Sequence, residues 1–128
     1  MSNIIILALL FVCHYLADYT KLSTPYMLIA KRTGEPLLPI LEHACIHGVL
    51  MGIALVPFLH ISISLVFILI AIEIVTHFII DVLKGRCNVW FPILKDNTKY
   101  PHWYVFGFDQ LLHQLVIVFM YFLIVKYK

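Results

Sequence analysis

EIVTHFIIDVLKG, residues 73–85, places three ionisable side chains at intervals of four in an otherwise apolar run. Only Ile, Val, Thr and Phe separate Glu73, His77 and Asp81. A spacing of four residues puts side chains on one face of an α-helix, about 5–6 Å apart at Cβ. The stretch therefore predicts a helix that carries one polar stripe on an apolar body.

The same spacing occurs in three other segments of the chain. In HYLAD, HACIH and DQLLH the ionisable side chains are again four residues apart. The pairs are His14 with Asp18, His43 with His47, and Asp109 with His113. Four helices are therefore predicted to present one His or carboxylate stripe each.

The composition is that of a membrane protein. Hydrophobic residues make up 62% of the 128 residues and charged residues only 12%, against about 45–50% and about 25% in soluble domains. A chain of this length predicts one integral membrane domain over residues 1–128. The net charge of +2 is too small to indicate a nucleic-acid partner, so the predicted partner is the lipid bilayer.

Four segments are long and apolar enough to cross a bilayer, which takes about 20 residues. They are residues 3–20, 39–58, 61–84 and 105–125. Pro57 and residues 60–62 are expected to form a tight turn between the second and third. The predicted fold is all-α, a four-helix transmembrane bundle of up-down topology with short interfacial helices in the loops, one of them at residues 24–34. The first segment is read as a retained helix and not a signal peptide, because no basic stretch precedes it.

The positive charges predict the orientation. Seven of the nine Lys and Arg residues lie in the loop between the first two spans or in the loop between the last two. Since cytoplasmic loops are enriched in Lys and Arg, both long loops are expected in the cytoplasm and both termini outside the plasma (inner) membrane. Lys126 and Lys128 are the exceptions, and Trp90 and Trp103 are expected in the second loop at the interface.

Alternating helix directions bring the polar stripes together. The stripes end the first and third spans and begin the second and fourth, so all of them fall in the cytoplasmic half of the membrane. Imidazole and carboxylate are common ligands of Zn, Mn and Fe, and the four carboxylates could balance two divalent ions. The sequence therefore predicts a site for one or two such ions, with the candidate ligands His14, Asp18, His43, His47, Glu73, His77, Asp81, Asp109 and His113.

Other roles for these residues stay open. Polar side chains also join membrane helices by hydrogen bonds without a metal. Glu73, the deepest carboxylate, is a candidate general base as well as a ligand. Lys84, together with Arg86 and Lys21, is a candidate for holding a phosphate group, although lysines flanking a span are also expected from orientation alone.

The four motifs resemble a known family. HYLADY, EHACIHG, EIVTHFIIDVLKG and FDQLLHQ are similar to those of small bacterial and phage membrane proteins grouped as the domain-of-unknown-function 3307 family, over nearly the whole chain. That family has no established activity, so the resemblance implies an architecture and a site but no reaction. A more distant similarity to YdjM-like membrane-bound metal-dependent hydrolases is an analogy at the level of the fold.

Three functions fit the predicted site. The first is a metal-dependent hydrolase that acts on a small-molecule or lipid phosphoester. The second is a metal-ion or proton transporter or channel, which needs polar groups through the full thickness of the membrane. The third is a haem or di-iron redox protein, although di-iron bundles use Glu-x-x-His spacing. The oligomeric state is left open.

Overall fold

The computed structural model describes residues 3–58 and 60–127. It contains five α-helices and a short 3-10 helix at Pro92–Lys95. The α-helices are α1 (Asn3–Tyr19), α2 (Pro25–Thr33), α3 (Leu37–Leu55), α4 (Ile63–Trp90) and α5 (Tyr100–Tyr127). The all-α prediction is confirmed, and the predicted terminal charge of Lys128 lies outside the described residues.

Three of the helices are long and apolar enough to cross a membrane, namely α3, α4 and α5. Helix α1 is apolar as well but has only 17 residues. The three long helices and the apolar composition indicate a membrane protein.

Helix α2 forms where the loop prediction placed a short helix. The Thr24 hydroxyl accepts a hydrogen bond from the Met27 amide, and Pro25 occupies the first turn. Gly34 ends the helix in the left-handed conformation with φ of 72°, which glycine adopts without steric cost. Met27 and Ala30 are buried, so this short helix is fixed against the rest of the molecule by its apolar face.

Helices α1, α3, α4 and α5 pack in a ring, with α2 across one end. Helix α1 contacts α3 and α5, α4 contacts α3 and α5, and α2 contacts α3 and α4. The end of the bundle away from α2 has an apolar core that includes Ile6, Leu55, Leu65 and Ile124. The polar stripes lie between this core and α2.

Helix α4 continues beyond the predicted end of the third span. The third span was predicted to end at residue 84, but α4 runs on through Gly85 to Trp90. The reason is packing: a Cβ atom on Gly85 would overlap the backbone nitrogen of Gly34 and lie 2.8 Å from the Lys31 carbonyl oxygen. This glycine therefore lets α2 approach α4 closely.

Helix α5 begins earlier than predicted, at Tyr100 and not near Val105. Pro101 lies in its first turn, where a missing N–H costs no helical hydrogen bond. Trp90 and Trp103 consequently lie on the helix ends and not in an extended loop, and both are largely exposed.

Candidate functional site

All nine predicted polar side chains meet in one cluster within the helix bundle. The side chain of Asp18 is 7% exposed, and the other eight residues are buried. Helices α1, α3, α4 and α5 each contribute, because the spacing of four aims each stripe at the bundle axis. The predicted convergence is therefore found, whereas metal binding by these residues stays a prediction.

The part of the cluster farthest from α2 consists of His14, His47, Glu73 and His77, which we call the deep group. The Glu73 Oε1 atom lies 3.3 Å from His77 Nδ1 and 3.7 Å from His47 Nδ1. The His47 and His77 rings are 3.7 Å apart between centroids, and His14 lies 5.0 Å from His47 on the same measure. Three imidazoles thus surround one carboxylate.

The part of the cluster next to α2 contains three carboxylates that are paired with lysines. We call Asp18, Asp81, Asp109, Lys31 and Lys84 the lysine rim. Lys31 Nζ lies 2.9 Å from Asp18 Oδ1 and 3.1 Å from Asp81 Oδ2. Lys84 Nζ lies 2.8 Å from Asp109 Oδ2. The two lysines therefore offset charge that the sequence analysis left to metal ions.

Histidines connect the lysine rim to the deep group. His43 Nε2 lies 3.0 Å from Asp18 Oδ1 and 2.9 Å from Lys31 Nζ. His113 Nε2 lies 3.6 Å from Asp109 Oδ1 and 3.7 Å from Asp81 Oδ1. The nine residues and the two lysines thus form one continuous network.

Lys31 is the main functional residue that sequence reasoning missed. It was counted only as a loop charge, but α2 turns it into the cluster. Burial alone would lower the pKa of Lys31, and the adjacent carboxylates of Asp81 and Asp18 outweigh it and raise the pKa above its ordinary value. The available signal was the position of Lys31 beside Ala30 and four residues after Met27, on the face that α2 buries.

Several ring nitrogens in the cluster make no hydrogen bond within residues 3–58 and 60–127. They are both nitrogens of His14, Nδ1 of His47, and Nε2 of His77 and of His113. A buried polar atom without a partner costs about 1–3 kcal/mol. Such atoms are uncommon in native proteins, and nitrogens with a free lone pair are the atoms of histidine that bind metal ions.

Three sets of side chains in the cluster have ligand atoms close enough to share one ion. Within each set the ligand atoms lie within 4.8 Å of one another. The sets are the deep group; Asp18, His43, His47 and His77; and His77, Asp81 and His113. His77 belongs to all three sets, so an ion bound by any one of them would need His77 as a ligand.

A polar cavity of about 300 Å³ lies beside the lysine rim, between α1, α2, α4 and α5. Lys31, Arg32 and Lys84 line it, and Asp18 lies at its boundary with the cluster. Its lining lacks the other two predicted phosphate holders. Arg86 pairs with Glu35, and Lys21 is exposed in the loop after α1.

The remaining two histidines, His60 and His102, lie outside the cluster. His60 is exposed in the turn before α4. The Nδ1 atom of His102 lies 2.6 Å from the Leu94 carbonyl oxygen, and this histidine lines the polar cavity. Glu42 is exposed beside His43 and does not join the site.

Comparison with known proteins identifies a family whose function is not established. No curated protein and no solved structure matches the chain, so the distant similarity to YdjM-like hydrolases stays a prediction. The model of the family described as "Protein of unknown function (DUF3307)" matches residues 3–128. Because this match spans nearly the entire chain and includes all four motifs, the protein belongs to the DUF3307 family.

Proposed function

We propose that the protein is a membrane-embedded, metal-dependent hydrolase of phosphoesters whose ion is held by the deep group. The observation that carries the proposal is the convergence of three imidazoles on the Glu73 carboxylate. Ring nitrogens of His14 and His47 there have no hydrogen-bond partner among the residues that the structure describes. His₃Glu is a borderline nitrogen and oxygen ligand set, which suits Zn, Mn or Fe.

The proposed topology has four membrane spans, α1 included. A helix of 17 residues is at the short end of the range of about 17–25 that cross a bilayer, and α1 packs between α3 and α5. The loops that carry most of the Lys and Arg residues, and with them the polar cavity, then face the cytoplasm of the plasma (inner) membrane. The deep group lies below that surface in the cytoplasmic half.

The lysine rim favours one ion and not two. The four carboxylates carry a charge of −4, and Lys31 and Lys84 return +2 through contacts of 2.8–3.1 Å. One divalent cation, with a charge of +2, would balance the remaining −2. The positions of the lysines support a site at the deep group: Lys31 contacts Asp18, His43 and Asp81, whereas no Lys or Arg nitrogen among the described residues lies within 4 Å of Glu73.

The neighbourhood of the deep group suits hydrolysis. A divalent ion there would lower the pKa of a bound water to about 7 and polarise a phosphoryl oxygen. Lys84 and Arg32 line the polar cavity beside the lysine rim and would bind the phosphate oxygens, because Lys and Arg form charge-assisted hydrogen bonds with them. Asp18 lies where this cavity meets the cluster, 3.5 Å from His47 Nε2, and so links the two regions.

The first experiment measures metal per chain by mass spectrometry on the detergent-purified full chain. The wild type is compared with His77→Ala, and His60→Ala serves as the matched control because His60 is exposed outside the cluster. We expect about one ion per chain in the wild type and the control, and less than about a tenth of that in His77→Ala, since losing even supporting contacts costs 10–100-fold in affinity.

A positive metal result leads to assays against phosphomonoesters, phosphodiesters and phospholipids. Wild-type protein that is folded by circular dichroism and contains no metal would overturn the metal site. The cluster would then be a hydrogen-bonded joint between helices. Metal without hydrolysis of any phosphoester would reject the reaction and keep the site.

Transport is the weaker alternative because the other half of the bundle is apolar. Its described core consists of side chains such as Leu10, Leu69, Ile117 and Met120, and a pathway for ions needs polar groups through the full thickness. Uptake of metal by proteoliposomes that contain the purified protein would favour transport over hydrolysis.

A further inference from the structure

Two cavities of different chemistry adjoin the ion pair between Lys84 and Asp109. On one side is the polar cavity of about 300 Å³, lined by Lys31, Arg32 and Lys84. On the other is a groove of about 380 Å³ between α4 and α5, with apolar side chains everywhere except at Lys84 and Asp109. Lys84 lines both cavities, so the polar cavity and the apolar groove meet at this residue.

The polar cavity has the charge of an anion site. Three cations and one carboxylate, Asp18, line it. Lys31 and Lys84 are already paired with carboxylates, but Arg32 has no acidic partner among the residues that the structure describes. A guanidinium group offers a planar fork of donors that matches two phosphate oxygens. Arg32 is therefore the cation of this lining that has no carboxylate to compete with an incoming anion, and Lys84 has donors beyond the one that it gives to Asp109.

The apolar groove continues along the helix pair away from the charges. A second apolar groove of about 390 Å³ follows it between α4 and α5, and the two share Ile80 and Leu112. On α4, the lining of the second groove ends at Ile72. The helix rises about 18 Å between Lys84 and Ile72. That length is close to the hydrocarbon depth of one leaflet, which is about 15 Å.

We propose that an anionic phospholipid binds across the seam between α4 and α5, with its phosphate on Arg32 and Lys84 in the polar cavity and an acyl chain in the groove beyond Lys84. The juxtaposition of cations and an apolar track of leaflet length selects a lipid over a soluble phosphoester. Reading this lipid as the substrate rests on the proposed function, whereas its binding does not.

The test is native mass spectrometry of the detergent-purified full chain with dioleoyl phosphatidate or with dioleoyl phosphatidylcholine. The acyl chains are identical, so the comparison isolates the head group. We expect phosphatidate to bind at least about tenfold more tightly, the factor that one charge-assisted hydrogen bond supplies. Equal binding of the two lipids would overturn the proposal.

Two variants separate the phosphate site from the chain site. Arg32→Gln should remove most of the preference for phosphatidate, and Lys21→Gln, which removes an exposed positive charge outside the cavity, should keep it. Leu83→Trp should fill the groove and weaken both lipids. Its control is Val49→Trp on α3, because Val49 is 54% exposed and Leu83 is 55% exposed. Equal effects within either pair would indicate nonspecific lipid contact and overturn the proposal.

Further arms separate the source of the phosphate and the two proposals. Inorganic phosphate that binds as tightly as phosphatidate would replace the lipid with a soluble anion. The lipid comparison is repeated on metal-free protein, because lipid binding does not require the ion. A preference for phosphatidate in a wild type that already lacks metal as purified would keep this inference and reject the hydrolase, whereas metal bound as purified without a lipid preference would do the reverse.

Discussion

The deep group and the lysine rim are two halves of one cluster that balance charge in different ways. In the rim, Asp18, Asp81 and Asp109 each have a lysine nitrogen within 3.1 Å. In the deep group, the ion-pair partners of Glu73 within the described part of the chain are the histidines His47 and His77. The carboxylates of both regions are buried. Because the local dielectric is low there, an uncompensated charge would be costly in either region.

The difference shows that motifs of the same spacing have their carboxylates neutralised by different groups, depending on how far they lie from α2. The rim lies next to α2 and can be reached by long side chains from the surface, which makes it a permanent ion-pair network. The deep group lies beyond their reach, so its negative charge must be balanced by a proton or by an ion that binds after folding. The proposed metal ion would therefore bind in the deep group, where it supplies the positive charge that the lysines supply in the rim.

Glu73→Gln should have the largest effect on metal content. The change removes the carboxylate charge of the deep group at nearly constant shape, and we expect bound metal to fall below about a tenth of the wild-type value. Metal per chain measured on detergent-purified protein checks this. Asp109→Asn is the matched control from the rim, where Lys84 holds the carboxylate, and it should retain more than half of the metal.

The Glu73 variant also decides between its two proposed roles. Loss of metal identifies Glu73 as a ligand. Full metal content with loss of phosphoester hydrolysis would make it the general base, and the ion would then be bound by histidines. Equal loss in Glu73→Gln and Asp109→Asn would erase the distinction between the deep group and the rim.

Lys31→Met should cause the largest loss of stability. The side chain keeps its length but loses its charge, which leaves Asp18 and Asp81 buried without a lysine. Removing one partner of a buried ion pair costs about 3–5 kcal/mol. The free energy of unfolding measured by SDS titration in mixed micelles checks this value, in buffer with and without a metal chelator.

The chelator arm compares the two regions directly. A chelator should destabilise the wild type and Lys31→Met by similar amounts, because the proposed ion is held by the deep group and not by the carboxylates that Lys31 contacts. Lys126→Met is the control, since Lys126 lies in the last turn of α5 and its Nζ lies over the rings of Phe122 and Tyr127, with no ion-pair partner among the described residues. Equal stability of the two lysine variants would show that the Lys31 contacts are not needed.

The sequence predicted much of the fold because hydrophobic length and the spacing of polar residues are local properties. Thr24, Pro25 and Gly34 marked both ends of α2 through capping rules that act over a few residues. The end of α4 could not be predicted in the same way. Gly85 looks like a helix breaker, and only its contact with Gly34, 51 residues earlier, shows that it is a packing glycine.

The candidate site was also predictable as far as it depends on local spacing, but not where it depends on contacts between distant parts of the chain. The four stripes and their common depth follow from spacing and alternating helix direction, and all nine side chains meet. The partnership of Lys31 with Asp18 and Asp81 does not follow from spacing, because it depends on how α2 folds back over α3 and α4. Without that contact the charge balance pointed to two ions, and with it the balance favours one.

Gly85→Ala tests whether the close approach of α2 to α4 holds the rim together. The new methyl group would meet the backbone of Gly34 and of Lys31, which cannot move aside as a side chain does. Overpacking of this kind costs about 1–3 kcal/mol. Thermal unfolding in detergent checks the loss of stability against Gly107→Ala, whose added Cβ meets nothing within 4 Å.

The control should behave in the opposite way. Alanine is favoured over glycine in a helix by about 0.5–1 kcal/mol, so Gly107→Ala should leave α5 unchanged or slightly more stable. A melting temperature of Gly85→Ala at or above that of Gly107→Ala would show that the helices do not approach as described. The placement of Lys31 in the rim would then lose its basis.

Arg86→Gln should have the smallest effect, although it also breaks a link to the α2 region. Arg86 pairs with Glu35 directly after α2, but the Glu35 side chain is 61% exposed. Exposed ion pairs contribute about 0–1 kcal/mol because water screens the charges. The same SDS titration should therefore place this variant within 1 kcal/mol of the wild type, well above Lys31→Met. A loss as large as that of Lys31→Met would mean that burial does not set the difference between the two cations, and the contrast between rim and surface would fail.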